Sequence, residues 1–198
     1  AGHPAAAVLE YDADGRLIAS TDAAGVLVTT TSDTSAWTET TTGPDPSVTT
    51  TSFFNADGLV ERVVEDVAGV LREARWSYTS NYQVASATAP SGTVTTYAYD
   101  ASLRPIRVED ADGVVVESTY GSFEDVTALH VDGQLVGTWV YDDEGHLLEQ
   151  RGPDGQVRST MSYDADGILS SFRDADGVGG EVVLDGAQVG ALVIGPSA

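Results

Sequence analysis

The chain has 198 residues, enough to bury a core as one large or two small domains. Its 31 acidic residues against 9 basic ones, all arginine, give a formal net charge of −22, so nucleic acid and anionic membrane surfaces are repelled rather than bound. Without cysteine or lysine it has no disulfides, zinc–thiolate centres, cysteine nucleophiles, P-loop or Schiff-base chemistry, and no apolar run is long enough for a membrane-spanning helix.

Residues 1–10, AGHPAAAVLE, read as an N-terminal tail leading into a first strand, and the missing initiator Met suggests a processed form or a fragment. At Tyr11 a unit begins that recurs to about residue 180. It consists of an aromatic, a turn such as DADG, a strand, a second turn ending in Gly, and another strand. The aromatic landmarks are Tyr11, Phe54, Tyr78, Tyr99, Tyr120, Tyr141 and Tyr163, with steps of 24, 21, 21, 21 and 22 residues after Phe54. The gap between Tyr11 and Phe54 holds one degenerate unit starting near Ser32.

Two glycine positions keep register with these aromatics. Gly15, Gly58, Gly145 and Gly167 follow by four residues, and Gly25, Gly92, Gly113, Gly155 and Gly177 by fourteen. Gly69 and Gly133 fall one residue off that second position. Asp-Gly and Asn/Pro-Asp-Gly segments supply the positive φ of tight hairpins, and the runs between them are rich in Val, Leu, Thr and aromatics. A fixed period of this kind marks a repeat architecture. The expected fold is all-β: an antiparallel meander of about eight ~21-residue hairpins in a curled or spiralling sheet, a shell segment or an open ribbon.

Side chains alternate across a strand, so counting back by twos from each repeat aromatic identifies one face. Trp76 lies two before Tyr78, Tyr97 before Tyr99, Trp139 before Tyr141 and Met161 before Tyr163. With Tyr11, Phe54 and Tyr120 these side chains are the expected repeat core, stacked in columns that hold neighbouring hairpins in register. The stretch 29–52 is threonine-rich and has lost its Tyr and first Gly. It reads as a degenerate repeat, or alternatively as a carbohydrate-contacting or O-glycosylated segment around Trp37. Residues 181–198 read as atypical terminal strands, as expected where a repeat array must cap an edge.

The blocks YDADGRL, YAYDASLRPIRVEDADG and YDDEGHLLEQRGPDGQV resemble the RHS/YD-repeat family, whose pattern is Tyr-Asp, two residues, Gly-Arg/His-Leu and a further Gly about ten residues later. The resemblance covers roughly residues 9 to 180, and Tyr11-Asp12, Tyr99-Asp100, Tyr141-Asp142 and Tyr163-Asp164 keep the dipeptide. It implies a long β-sheet that spirals into a hollow shell enclosing a toxin domain, or a large extracellular adhesion module.

Calcium is the one metal the composition suggests, with Asp12, Asp14, Asp164, Asp166, Asp174 and Asp176 as ligands. DADGRLIAS nevertheless departs from an EF-hand loop, having Gly at the fourth position and Arg16 at the fifth. Turn chemistry is the competing explanation for those aspartates. Of His3, His130 and His146, the last sits in the Arg/His-Leu slot of the repeat, and neither G-x-S-x-G nor H-E-x-x-H occurs. The expected role is structural and non-catalytic, in an extracellular or surface assembly: a scaffold, filament subunit or shell wall that pairs with itself or with further YD repeats. The alternatives are a glycan-binding adhesion module and a shell fragment of a toxin-delivery protein. No cofactor is expected.

Overall fold

The computed structural model describes residues 8–185 and 188–196, and it is all-β and antiparallel. Residues 1–7 of the expected N-terminal tail, and 186–187 and 197–198 of the expected terminal strands, lie outside them. The chain divides into two units, 1–96 and 97–198, the boundary falling within one strand.

The first unit runs β1 (Val8–Tyr11), β2 (Leu17–Thr21), β3 (Leu27–Asp33), β4 (Thr38–Thr42), β5 (Val48–Phe54), β6 (Val60–Val67), β7 (Val70–Tyr78), β8 (Val84–Thr88) and the start of β9 (Val94–Tyr99). Each strand pairs antiparallel with the next. The second unit continues through β10 (Pro105–Glu109), β11 (Val115–Tyr120), β12 (Val126–Val131), β13 (Gln134–Tyr141), β14 (Leu147–Arg151), β15 (Val157–Tyr163), β16 (Leu169–Asp174), β17 (Val178–Asp185) and β18 (Gln188–Pro196). From β10 onward each again pairs with its successor. The meander expected from the repeat is therefore present, two strands to the unit.

The tyrosine-bearing strands show the expected alternation. In β9 Thr95, Tyr97 and Tyr99 are half-buried while Val94, Thr96 and Ala98 are exposed. β15 likewise half-buries Ser159, Met161 and Tyr163 and exposes the residues between. Trp76 and Trp139 lie on the same half-buried face. The face is shielded without being enclosed: among the described residues only Ala19 is a buried apolar side chain. With so little enclosed apolar surface among the described residues, hydrogen bonds and contacts between neighbouring hairpins carry much of the order.

The threonine-rich stretch does form strands. Thr29, Thr30 and Thr31 of β3 face Thr42, Thr41 and Thr40 of β4, which face Thr49, Thr50 and Thr51 of β5. Hydroxyls link Thr30 to Thr41 at 3.4 Å and Thr40 to Thr51 at 3.0 Å. β-Branched residues suit a pleated surface, and here their hydroxyls add cross-strand bonds where the repeat aromatics are missing.

Candidate functional site

The unit is built around its turn. In Asp142–His146 the Asp142 N–H donates to the His146 carbonyl at 3.0 Å and the Gly145 N–H to the Asp142 carbonyl at 3.2 Å. The Asp142 Oδ1 accepts from the N–H groups of Glu144 and His146 at 2.9 and 2.8 Å. Gly145 has φ +89°, a left-handed conformation in which a Cβ is penalised. This is a three-residue hairpin loop, a type I turn followed by an αL residue, with an Asx side chain holding the backbone from inside. These hydrogen bonds also hold the Asp142 carboxyl below its ordinary range, the His146 backbone N–H contributing most.

The same construction recurs at Asp12, Asp22, Asn55, Asp100, Asp110, Asp164 and Asp174, whose Oδ1 atoms each accept from the N–H groups two and four residues on. Thr79 substitutes a hydroxyl. The DADG blocks at 164–167 and 174–177 thus lie at opposite ends of β16 yet form one kind of turn. Of the aspartates expected to bind calcium, Asp12, Asp164 and Asp174 spend one carboxylate oxygen on two backbone N–H groups. Asp14, Asp166 and Asp176 are exposed in the same turns and each supplies one of those N–H donors.

All eleven glycines of the two landmark series have positive φ. Gly69 and Gly133, one residue out of register, close a different turn. Val67 faces Val70 and Val131 faces Gln134, leaving two-residue loops in which Ala68 and Asp132 also have positive φ. That is the type I′ geometry; its shorter loop brings Gly133 one residue early, while the longer β6 carries Gly69 one residue late.

The repeat tyrosine has two partners that spacing alone could not supply. First, its hydroxyl reaches back across the sheet to the first residue of the preceding strand. Tyr78 donates to the Val60 carbonyl, Tyr120 to Pro105 at 2.7 Å, Tyr141 to Val126 at 3.2 Å and Tyr163 to Leu147 at 3.0 Å. In each case the acceptor lies six residues after the previous unit's repeat aromatic. Tyr11, Phe54, Tyr78, Tyr120, Tyr141 and Tyr163 sit at a shift of strand register, a bulge that re-aims the side chain. Phe54 has no hydroxyl to donate, and Tyr11 is 55% exposed.

Second, the ring is met by the residue five positions after the previous unit's aromatic. The Arg104 guanidinium lies 4.7 Å from the Tyr120 ring centroid, and the His146 ring stacks on Tyr163 at 4.7 Å and 23°. Asp125 takes this position before Tyr141, and burial followed by that negative charge pushes the Tyr141 phenol up. Arg104 and His146 are fixed from below by their own turn aspartates. Arg104 lies 2.7 Å from the Asp100 carboxylate and donates to the Gly121 carbonyl at 2.9 Å; His146 Nδ1 lies 3.0 Å from Asp142 Oδ2. The Arg/His slot is therefore a clamp between consecutive units, held by one turn and pressed on the next tyrosine.

Asp142, Glu144 and His146 also form a group whose ligand atoms lie within 4.8 Å of one another, one of each type a divalent cation could use. His130 stands apart, half-buried in β12 opposite Glu117.

One unit lacks this arrangement. Ser32 stands where the tyrosine is expected, before Asp33, whose Oδ1 accepts from the Ser35 hydroxyl and the Ser35 and Ala36 N–H groups. Those bonds hold the Asp33 carboxyl below its usual range, the Ser35 hydroxyl foremost. The β3–β4 hairpin keeps unbroken register to Asp33–Thr38, without the bulge. Here lies a cleft of about 500 Å³ lined by Arg16, Ser32, Asp33, Trp37, Glu39 and Phe54, with Thr34 and Thr38. Trp37 is 51% exposed and has φ +54°. A smaller cleft, about 330 Å³, has Phe123, Trp139 and Tyr141 among its walls.

Residues 78–115 and 141–178 match the RHS Repeat family. No curated protein matches the chain. Solved structures similar to it include a chain of the TcdB2-TccC3-Cdc42 crystal structure, at 14% identity and TM-score 0.40 over 85% of this chain and 13% of that one. A second is the Photorhabdus luminescens Tc holotoxin pore, at 13% and 0.38 over 85% of this chain and 12% of that one. A third is a porin-like protein from Bacteroides uniformis, at 13% and 0.37 over 94% of this chain and 85% of that one. The chain thus spans only about an eighth of the first two. Both family matches begin at a repeat tyrosine, Tyr78 and Tyr141, so over those two stretches the unit described above and the RHS Repeat motif share one register.

Proposed function

We propose that this chain is a non-catalytic wall segment of a larger extracellular or surface assembly, built to be continued by further repeats or by copies of itself. The observation that carries this reading is the clamp. The turn aspartate, the Arg104 or His146 side chain and the next tyrosine are all spent on joining one hairpin to the next. A unit completed only by its neighbour favours extension, and unpaired strand edges favour pairing with another copy. The high negative charge keeps such a surface soluble and repels phosphate-rich partners. A toxin-enclosing shell is one form this wall takes, consistent with the RHS repeats.

Light scattering on size-fractionated protein, with electron micrographs of the fractions, tests the reading. Fibres, arcs or oligomers that grow with protein concentration and with salt are expected. Monomers of 20.6 kDa at every concentration and salt would refute self-assembly.

A further inference from the structure

The unit before the degenerate one retains the positions that elsewhere surround the next tyrosine. Arg16 lies five residues after Tyr11, the spacing that separates Arg104 from Tyr99 and His146 from Tyr141. Leu17 lies six after it, the position whose carbonyl receives the next tyrosine hydroxyl at Val60, Pro105, Val126 and Leu147. What is missing is the ring, because Ser32 replaces it. Arg104, pressed between its aspartate and Tyr120, has a side chain 23% exposed; Arg16 is 50% exposed, with its nearest carboxylate, Asp14, 3.9 Å away. The cleft adjoins this slot, with Arg16 on one wall and the half-buried Phe54 on another. Trp37, 51% exposed, lines it as well.

We propose that this cleft is a binding site for a phenol ring, supplied by an exposed tyrosine of a partner polypeptide. The intact units are the template: a cation on the ring face, as Arg104 lies on Tyr120, and a strand-initial carbonyl for the hydroxyl. The walls add Asp33 and Glu39 on a chain of net charge −22, so the tyrosine fits best between basic residues. A neutral saccharide would use the Trp37 face and leave Arg16, the counterpart of the cation on the Tyr120 ring, without purpose. The site does not depend on self-assembly and is tested separately from it.

Saturation-transfer NMR and equilibrium dialysis with the whole chain decide the matter, using N-acetyl-tyrosinamide, a short peptide with tyrosine between arginines, N-acetyl-leucinamide and methyl glucoside as probes. The tyrosine probes bind and the other two do not; the arginine-flanked peptide binds more tightly, the more so at low salt. Ser32→Tyr, which returns a ring to the slot, abolishes that binding and raises Tm. Should Ser32→Tyr fail to fold, Arg16→Ala serves instead, weakening binding about threefold through loss of the cation over the ring. Preference for the glucoside, binding that survives Ser32→Tyr or is untouched by Arg16→Ala, or no binding of either tyrosine probe would each overturn the proposal.

Discussion

Replacing Tyr163 by Phe removes one oxygen and leaves the ring, and so isolates the bond to the Leu147 carbonyl at 3.0 Å. A neutral intramolecular hydrogen bond contributes about 0.5–1.5 kcal/mol net, rising to about 1–3 kcal/mol where the abandoned partner is cut off from water. Tyr163 and Leu147 are both half-buried, so the lower range applies, about 1 kcal/mol. For a chain of this length that is roughly 2–4 °C in Tm. The His146 ring remains stacked, because the Phe face is unchanged. Differential scanning calorimetry with urea titration reads the loss, and Tyr141→Phe, whose bond is longer at 3.2 Å, provides a graded comparison. If Tyr163→Phe is neutral while Tyr163→Leu is costly, the hydroxyl is idle and only the stack matters. The reach-back bond would then be refuted as a determinant of the repeat.

The Gly167→Ala and Gly58→Ala pair separates backbone from clamp. The two residues have φ +76° and +78°, but a Cβ at Gly167 would lie 2.8 Å from His146 Nε2 while one at Gly58 meets open space. Each loses about 1–2 kcal/mol for the left-handed backbone, and Gly167→Ala loses more, a difference that His146→Ala erases in a double-mutant cycle. Leu103, exposed with φ +65°, is the reverse case: Leu103→Gly raises stability by up to about 1 kcal/mol in urea denaturation. Acid destabilises the fold. Asp33, Asp45, Glu73, Asp100 and Asp142 have lowered folded-state pKa values, so their contribution is complete above the unfolded carboxylate range and is lost as pH falls through the folded values. The raised Tyr99 and Tyr141 act oppositely, contributing below pH ~10 and losing that contribution as pH rises further; a denaturation series from about pH 2 to about pH 11 checks both limbs. Asp164→Asn keeps the Oδ1 acceptor and is nearly neutral, whereas Asp164→Ala costs about 1 kcal/mol. A calcium-dependent rise in Tm that both variants abolish would instead make that turn a cation site.

The part of the fold legible in the chain is its one-dimensional content. Period, turn residues and strand alternation are properties of consecutive residues, so Tyr99, Gly113 and Thr160 declare their roles locally. The clamp is not local. Arg104 and Tyr120 are 16 residues apart and meet because antiparallel pairing brings them together; their proximity also depends on the bulge at Thr119–Tyr120. Register shifts of this kind leave no signature in alternation, which counts the same on either side of them. The early position of Gly133 was a usable signal, since a two-residue loop shortens the spacing by one; at Gly69 the longer β6 masks that shortening. The cleft was legible only as an absence, and an absence at Ser32 acquires meaning once the neighbouring units show what a tyrosine there would touch.

The clamp also explains why a sheet with so little enclosed apolar surface can hold its order. In a two-layer protein each strand is stabilised by a core common to all of them. Here Tyr78, Tyr120, Tyr141 and Tyr163 are completed by the unit before them, and Arg104 and His146 by the unit after, so stability accrues pairwise along the array. The first repeat tyrosine behaves accordingly: Tyr11 is 55% exposed. By contrast Tyr78, Tyr99, Tyr120, Tyr141 and Tyr163, each with a unit before it, are half-buried. The Tyr11 ring is the surface that a preceding unit would cover, as Arg104 covers Tyr120.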